Sequence, residues 1–292
     1  MKKLSIVYVC LAAFLWGCMG IFVKALNNAG LFAINVVHVR ITLALLIVGI
    51  YIAITNPKRF KIRLKDVWCF IGTGIVSLLF FTWCLFSGME IAPLSVITIL
   101  LYTAPVFVMI MSIILFKEKI NRYKVISLLL TLIGCVLVSG IGQDMSLSAS
   151  GILFGLGSGF GYALYSIFSR YAIERGYDSW TITFYTFLFC VLGSFFLADN
   201  GLIISTVKEE PSLVLWMLGM AFFTGFLAYV LYTKGLEGME SSKASIIATL
   251  EPVVATVIGT LVFDEPLTVM VVVGIIAVVG GIVVLTLQKN EG

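Results

Sequence analysis

The chain has 292 residues, of which 61% are hydrophobic and only 12% are charged, and its mean hydropathy is +1.12. A soluble domain carries about 25% charged residues. This chain has too few polar side chains to cover a surface in water, which excludes a water-soluble globular fold. The net charge of +4 is too small for a nucleic-acid-binding surface. We therefore expect the lipid bilayer to surround the protein, and we expect no nucleic-acid partner.

Ten apolar stretches are long enough for a helix to cross about 30 Å of hydrocarbon. In chain order they cover residues 4–26, 32–54, 67–89, 92–116, 123–141, 151–171, 180–197, 213–236, 244–263 and 267–287. The first follows Lys2 and Lys3 and has no A-x-A cleavage site, so we expect a retained helix rather than a signal peptide.

The basic residues lie almost entirely on one side of this arrangement. With the N-terminus inside, 16 of the 19 Lys and Arg residues fall in inside segments: Lys2, Lys3, Lys58, Arg59, Lys61, Arg63, Lys65, Lys117, Lys119, Arg122, Lys124, Arg170, Arg175, Lys234, Lys243 and Lys289. Only Lys208 falls outside, while Lys24 and Arg40 lie within spans or at their ends. Because Lys and Arg concentrate in cytoplasmic loops, we predict a multi-pass protein of the plasma membrane with both termini cytoplasmic.

The second half of the chain repeats the first. A shift of 147 residues aligns Gly72 with Gly219, Gly88 with Gly235, Ser95 with Ser242, Pro105 with Pro252, Phe116 with Phe263, Glu118 with Glu265, and Gly134 with Gly281. Each unit, 4–141 and 151–287, contains five predicted helices. An odd number of helices inverts the second unit in the membrane. This pattern predicts an inverted-repeat transporter with its binding site near the midplane, between the units.

Pro105 and Pro252 occupy corresponding positions in the fourth and ninth spans. Each removes a backbone hydrogen bond, and the freed carbonyl must face protein or a water-filled cavity. A kink that serves packing alone is the other interpretation, but paired interruptions favour a place on the translocation path.

The run 155–161 has a glycine at every second position. It does not match the G-x-G-x-x-G nucleotide-binding motif. It contains two overlapping GxxxG spacings, which predict close helix packing.

Several short segments together resemble the EamA-type branch of the drug/metabolite transporter (DMT) superfamily. They are FLWG at 14–17, Arg40, FKE at 116–118, TLEPV at 249–253 and FDE at 263–265. The resemblance implies an all-α integral membrane fold of ten transmembrane helices in two inverted five-helix repeats (the EmrE-like, DMT fold). It also implies a carrier that exports or exchanges amino acids or other small metabolites. Its central cavity would come from the first four helices of each unit, with helices five and ten at the periphery.

Glu251 and Arg40 are the candidate charged site residues. Glu251 lies eight residues after Lys243, about 12 Å into the membrane at 1.5 Å per residue. Ionisable groups at that depth are costly and face a cavity or a partner. Glu251 is thus a candidate for proton or substrate coupling, with a structural ion pair as the alternative. Arg40 could bind a substrate carboxylate or pair with Glu251.

Aromatic side chains are the candidates for the cavity wall. The set comprises Trp16, Trp83, Tyr102, Tyr162 and Tyr165. Trp16 and Tyr162 rank first because they occupy equivalent positions when the first helices of the two units are aligned with a shift of 146 residues. The competing interpretation is that such residues face lipid or form interfacial belts.

An enzyme is not expected, since one histidine cannot supply an HExxH zinc site. The six cysteines form no CxxC pair, so we expect no metal site, and no cofactor is expected. Without a Walker A motif, energy must come from a gradient, with protons as a candidate coupling ion. The leading prediction is a secondary transporter of a small-molecule substrate, as a monomer or weak homodimer. The alternative is a multidrug or cation exporter in which Glu251 binds the cation.

Overall fold

The computed structural model describes residues 3–31, 33–139 and 148–287, and within these ranges the regular structure is helical, with no strand. The helices are α1 (Lys3–Asn28), α2 (Ala33–Thr55), α3 (Leu64–Ile91), α4 (Leu94–Phe116), α5 (Arg122–Val138), α6 (Ala149–Glu174), α7 (Ser179–Ser194), α8 (Asn200–Glu209), α9 (Leu213–Leu236), α10 (Ser241–Phe263) and α11 (Val269–Thr286).

Eight of these helices are long and apolar enough to cross a membrane. The other two predicted spans correspond to α5, with 17 described residues, and α7, with 16. At 1.5 Å per residue these two cover about 25 Å, slightly less than the hydrocarbon thickness. The predicted count of ten spans is therefore not confirmed, and the end of the predicted fifth span lies outside the described residues. The short helix α8 was not predicted.

Polar side chains set where several helices begin. The N-cap residues Asn121, Ser148, Asp178, Asp199 and Thr268 each accept a hydrogen bond from a backbone N–H two or three residues inside the helix. Such caps satisfy donors that the first helical turn leaves free. They explain why α8 forms in a polar stretch, because Asp199 accepts from the Leu202 N–H at 2.9 Å.

The two halves of the chain are interwoven rather than side by side. Helix α1 packs mainly against α9 and α10, and α6 packs correspondingly against α3 and α4. Helix α2 meets α7 and α9, while α5 and α11 pack chiefly on each other. The first helix of each half thus lies against the third and fourth helices of the other half, so that the halves share one interior.

Small residues allow the backbones to approach at these crossings. A Cβ at Gly134 would lie 2.7 Å from the Gly274 carbonyl, and one at Gly281 would lie 3.0 Å from the Ser127 carbonyl. The hydroxyl of Ser127 donates to the Gly281 carbonyl at 2.7 Å. This is the close contact that small residues permit in lipid.

The two GxxxG spacings of α6 face different neighbours. Gly155 and Gly159 lie against Leu100 of α4. Gly157 lies against Cys84, and Gly161 against the Phe81 backbone, both in α3. These contacts bring α3 and α4 onto α6 on either side of the residues that line the cavities described below.

Backbone irregularities recur at corresponding places in the two halves. Helix α3 contains a π-helical segment, Gly72–Leu79, and α9 contains another, Ala221–Leu227. Lys117 and Asp264, which are 147 residues apart, are the non-glycine residues with positive φ in the described chain, at 54° and 55°. Both follow the C-terminus of a helix, where the left-handed conformation ends the hydrogen-bond ladder.

Helices α4 and α10 are each interrupted just before their proline. The breaks separate Leu94–Leu101 from Ala104–Phe116 and Ser241–Ala248 from Leu250–Phe263. Pro105 and Pro252 therefore lie in the first turn of a new helical segment, where a missing N–H costs little. The interruption is a local change of the hydrogen-bond pattern, because the Thr103 N–H donates to the Leu100 carbonyl and the Thr249 N–H to the Ile246 carbonyl, each three residues back.

Candidate functional site

Two small cavities lie between the halves, and Tyr162 of α6 lines both of them. The first cavity has a volume of about 20 Å³ and is lined by Trp16, Ser77, Leu78, Phe81, Tyr162, Tyr165, Ser166, Tyr229 and Tyr232. The second has a volume of about 10 Å³ and is lined by Leu101, Tyr102, Ala104, Pro105, Tyr162, Ser245, Ala248, Thr249 and Glu251. Each is large enough for about one water molecule. Both helix breaks thus border the second cavity.

Trp16 is surrounded by tyrosines. Its ring centroid lies 6.2 Å from that of Tyr162, 5.2 Å from Tyr229 and 5.3 Å from Tyr232. Edge-to-face pairs of this kind hold aromatic rings in fixed orientations. The first cavity therefore has a rigid aromatic wall.

The tyrosine hydroxyls in this wall have partners within the protein. Tyr165 shares a hydrogen bond with Thr233 at 2.6 Å, and Tyr232 shares one with Ser166 at 2.8 Å. Because these polar atoms are satisfied, the first cavity presents mainly ring faces and edges to a ligand.

Tyr229, Tyr232 and Phe81 were not predicted as site residues. Tyr229 and Tyr232 are three residues apart in α9, directly after its π-helical segment. Their helical spacing was an available signal, since residues three apart share a helix face.

Glu251 lies at the start of the second helical segment of α10, two residues after the break at Thr249. Its carboxylate accepts a hydrogen bond from the Tyr162 hydroxyl at 3.3 Å. The free N–H groups of the first helical turn favour negative charge at this position. Within the described residues, no basic group lies within the 4.0 Å ion-pair distance of Glu251.

Arg40 does not pair with Glu251, so this predicted alternative is not observed. Arg40 lines a separate opening of about 330 Å³ near the end of α1 and the start of α2, which we call the outer vestibule after the predicted orientation. Its residues are Met19, Val23, Asn27, Val36, Val37, Arg40, Phe81, Thr82, Leu85, Phe86, Met89, Leu94 and Met220. Phe81 lines both this vestibule and the first cavity.

The three spaces consequently form a row. Phe81 stands between the outer vestibule and the first cavity, and Tyr162 stands between the first and second cavities. The two rings contact each other with centroids 5.5 Å apart. Phe81 and Tyr162 therefore separate Arg40 at one end of the row from Glu251 at the other.

Trp83 is a correction to the predicted cavity wall. Its side chain is 53% exposed and packs against Phe80 and Phe154 on the surface of the bundle. It lines neither inner cavity nor the outer vestibule. Most of the other predicted site residues line at least one of the two inner cavities: Trp16, Tyr102, Tyr162, Tyr165, Glu251 and Pro105. Arg40 lines the outer vestibule instead, and Pro252 lines none of these three spaces.

A polar contact joins the end of α4 to the segment Ser241–Ala248 of α10, which also contributes Ser245 and Ala248 to the lining of the second cavity. The carboxylate of Glu118, whose side chain is 7% exposed, accepts from the Ser241 N–H at 2.9 Å and from the Ser242 hydroxyl. We call these three residues the inner latch. The latch fastens the end of α4 to the start of α10. Arg170 reinforces it by donating to the Met239 carbonyl.

Charged residues surround the inner latch. Lys124 Nζ lies 3.4 Å from Glu118 and 3.3 Å from Glu240, and Lys243 Nζ lies 2.7 Å from Glu240. Burial acts to raise the pKa of Glu240, but its hydrogen bond with Lys243 and the charge of Lys124 outweigh burial and hold that pKa below its ordinary value. The Glu240 carboxylate is therefore ionised at neutral pH.

The counterpart of the inner latch at the other end of the repeat is open. Glu265 corresponds to Glu118, and their backbone N–H groups donate in the same way, to Gly259 and Ser112, each at 3.2 Å. The Glu265 side chain is nevertheless exposed and lies against Gly259. Segment Ser241–Ala248 packs on Ala104–Phe116, whereas no comparable contact joins Leu94–Leu101 to Leu250–Phe263 among the described residues.

The helices are apolar, and they enclose a row of cavities that ends at a carboxyl group. This arrangement is typical of a multi-pass membrane transporter. The model of the EamA-like transporter family matches residues 3–140 and 149–287, and the chain belongs to that family. The resemblance seen in the sequence is thereby confirmed.

Curated relatives carry transporter names. The chain is 26% identical to the uncharacterized transporter YxxF of Bacillus subtilis (strain 168), with 100% of this chain and 92% of that protein covered. An uncharacterized transporter of Clostridium kluyveri is 25% identical, with 97% and 93% covered. An uncharacterized transporter of Archaeoglobus fulgidus is 28% identical, with 68% and 69% covered. One solved crystal structure, 16% identical, superposes with a TM-score of 0.79 over 98% of both chains and shares the fold.

Proposed function

We propose that this protein is a secondary active transporter that moves a small metabolite, an amino acid or a related compound, across the plasma membrane by alternating access. The observation that carries the proposal is the row of cavities between Arg40 and Glu251, in which Phe81 and Tyr162 separate the outer vestibule from the two inner cavities. Alternating access requires a central site that opens to one side of the membrane at a time.

The proposed topology is ten membrane spans in two inverted units, 4–141 and 151–287, with both termini cytoplasmic. Three repeated features support it: the π-helical segments, the breaks before Pro105 and Pro252, and the left-handed residues Lys117 and Asp264. The positive-inside rule supplies the orientation. In this proposal α5 and α7 cross the membrane despite their shorter length, and α8 lies outside it.

Alternating access follows from the difference between the two latch positions. When the halves exchange conformations, Glu118 releases Ser241 and Ser242, and Glu265 binds the start of α4, where Ser95 corresponds to Ser242. The outer vestibule then closes and the second cavity opens to the cytoplasm. The two broken helices supply the hinges, because their segments are already separated next to the cavity.

Glu251 is the proposed coupling residue. Its carboxylate is positioned between a helix N-terminus and Tyr162 and lacks an ion-pair partner among the described residues. A group in that position can exchange a proton or a cationic ligand without first breaking an internal ion pair. Trp16, Tyr102, Tyr162 and Tyr165 form the wall against which the substrate packs.

The second candidate function is export of organic cations, including drugs. The observation that favours it is the combination of one carboxylate with several tyrosine rings and Trp16, since aromatic faces attract cations. Both candidates use the same cavities. They differ in whether the substrate also carries an acidic group.

Uptake into proteoliposomes distinguishes the two candidates. Purified protein is reconstituted into vesicles that contain unlabelled amino acids. Each labelled amino acid, or labelled tetraphenylphosphonium, is then added outside, and its uptake is measured. The metabolite proposal predicts exchange of at least one amino acid and no uptake of the cation. Cation uptake without amino-acid exchange would replace it with the second candidate. Glu90→Gln, which changes an exposed carboxylate of α3 that lines none of the three spaces, is the matched control for Glu251→Gln.

A further inference from the structure

Arg40 is a buried charge without a matching partner. Arg40 is only 5% exposed, and its Nε has no hydrogen-bond partner among the described residues. Its Nη1 contacts the Met19 sulfur at 2.6 Å. A thioether is a weak acceptor, and a buried guanidinium without an anion is strongly unfavourable.

Three other arginines of the described chain have the carboxylate partner that Arg40 lacks. Arg59 pairs with Asp178 at 2.6 Å, and Arg63 and Arg175 both pair with Asp66, at 2.6 Å and 3.3 Å. Those arginines are more exposed than Arg40 and yet have carboxylate partners. Arg40 is thus the most buried arginine of the described chain, and it lacks the carboxylate partner that these three have.

We propose that Arg40 is a capture subsite for the carboxylate of the transported compound, on the vestibule side of Phe81 and separate from Glu251. This inference rests on the proposed transport function. Arg40 lines the outer vestibule together with apolar side chains such as Val23, Val36 and Met89. Low-polarity walls strengthen the attraction between the guanidinium and an anion.

The surroundings of Arg40 limit the chemical class of the ligand. A guanidinium binds a carboxylate with two parallel hydrogen bonds. A single positive charge suits a monocarboxylate better than phosphate or a dicarboxylate, which carry more charge. The apolar vestibule suits a ligand with a hydrocarbon body. The ligand class is therefore a small monocarboxylate with an apolar side chain, which an apolar amino acid satisfies.

The position of Arg40 gives it a specific place in transport. Phe81 is the single shared lining residue between the vestibule that contains Arg40 and the cavity that contains Trp16. A compound bound at Arg40 needs only movement past this ring to reach the aromatic wall. Arg40 collects the substrate, and Glu251 acts later, beyond Tyr162.

The first test measures the unpaired charge without any substrate or transport. In a cysteine-free background, Val23→Cys places a thiol in the vestibule about one helical turn from Met19. Its reaction with the anionic reagent MTSES should exceed that with the cationic reagent MTSET by about tenfold or more at low salt, after normalisation to a free thiol. Arg40→Gln should remove the preference. Lys24→Gln is the matched control, because Lys24 lies over the Phe263 ring instead.

The second test identifies the ligand class by thermal unfolding of the purified protein. A mixture of leucine, phenylalanine, valine and methionine should raise the melting temperature, and the corresponding amino-acid amides should not. Arg40→Gln should abolish the shift and Arg40→Lys should retain part of it. Without ligand, Arg40→Gln should melt at the wild-type temperature or above, since it removes an unpaired buried charge. A lower melting temperature would assign Arg40 a structural role.

Equal MTSES and MTSET rates in the wild type, or stabilisation by amides as large as that by acids, would overturn the proposal. So would the absence of stabilisation by any of the acids. Failure of the transport function has a different result: the charge preference and acid binding would persist while proteoliposomes showed no uptake. Normal amino-acid uptake by Arg40→Gln would leave transport intact and remove the capture subsite.

Discussion

Glu118→Gln is expected to shift the protein toward its inward-open state. The substitution keeps the shape of the side chain but removes its charge. In the described conformation Glu118 accepts two hydrogen bonds, from Ser241 and Ser242, and pairs with Lys124. The corresponding bonds are absent from Glu265, which is exposed. The charge of Glu118 therefore stabilises one of the two proposed states and not the other.

The size of the shift can be derived from these contacts. A hydrogen bond to a charged group contributes about 1.5–3 kcal/mol, compared with about 1 kcal/mol for a neutral pair. Two weakened bonds lower the stability of the inner-closed state by about 2 kcal/mol, which changes the population ratio by about 30-fold. Lys124 still retains Glu240 at 3.3 Å, so folding should survive the substitution.

Cysteine labelling from the cytoplasmic side measures this population. Ala248 lines the second cavity and is 4% exposed, so that Ala248→Cys in a cysteine-free background should react slowly with an impermeant maleimide in inside-out vesicles. Adding Glu118→Gln should accelerate labelling by about 30-fold. Glu265→Gln is the matched control and should slow labelling or leave it unchanged. Unchanged labelling in folded Glu118→Gln, or equal acceleration by Glu265→Gln, would refute the latch.

Three further predictions concern pH, packing and topology. Because the pKa of Glu240 is held below its ordinary value, its carboxylate stays ionised as the pH falls from about 8 to 5 and loses its stabilising charge only below that range. The labelling rate at Ala248→Cys, corrected for thiol ionisation, should therefore be constant from about pH 5.5 to 8. A rise within that window would show that the cluster titrates there. Gly134→Val should lower the melting temperature more than Gly20→Val, because a Cβ at Gly134 would lie 2.7 Å from the Gly274 carbonyl and one at Gly20 would lie in open space. Equal shifts in melting temperature would argue against a tight crossing of α5 and α11. A cysteine at Asn200 should react with an impermeant reagent from outside and one at Asn121 should not; outside labelling at Asn121 would invalidate the orientation and the inverted repeat.

The helical framework could be predicted well from the sequence because the residues that begin and end its helices act locally. Caps, prolines and glycines at 147-residue spacing mark where the chain turns, and length and hydropathy mark eight helices that could cross a membrane. The interweaving of the halves could not be predicted, since it depends on contacts between distant helices. The short helix α8 was missed because its apolar content is low and its start depends on one aspartate cap.

The candidate site was predicted in part, for physical reasons that differ between residues. Glu251 could be singled out because an acidic residue within an apolar span is rare. Trp83 could not be separated from Trp16, because a helix that is apolar on every side gives no indication of which face lies inside. The spacing of Tyr229 and Tyr232 places them on one helix face, but the π-helical segment before them changes the register, so the sequence does not indicate which side of α9 that face is.

Gradient-driven transport by Glu251→Gln tests the central claim most directly. Amino-acid uptake into proteoliposomes is measured under an imposed pH gradient, across a window of about pH 5.5–8.5. Separate preparations contain the wild type, Glu251→Gln, Glu251→Asp or the Glu90→Gln control. The account predicts that Glu251→Gln folds and binds substrate but loses gradient-driven transport and its pH dependence, that Glu251→Asp retains part of both, and that Glu90→Gln matches the wild type. Normal transport by Glu251→Gln over the whole window would contradict the account. Glu251 would then be a structural partner of Tyr162, and energy coupling would have to come from substrate exchange.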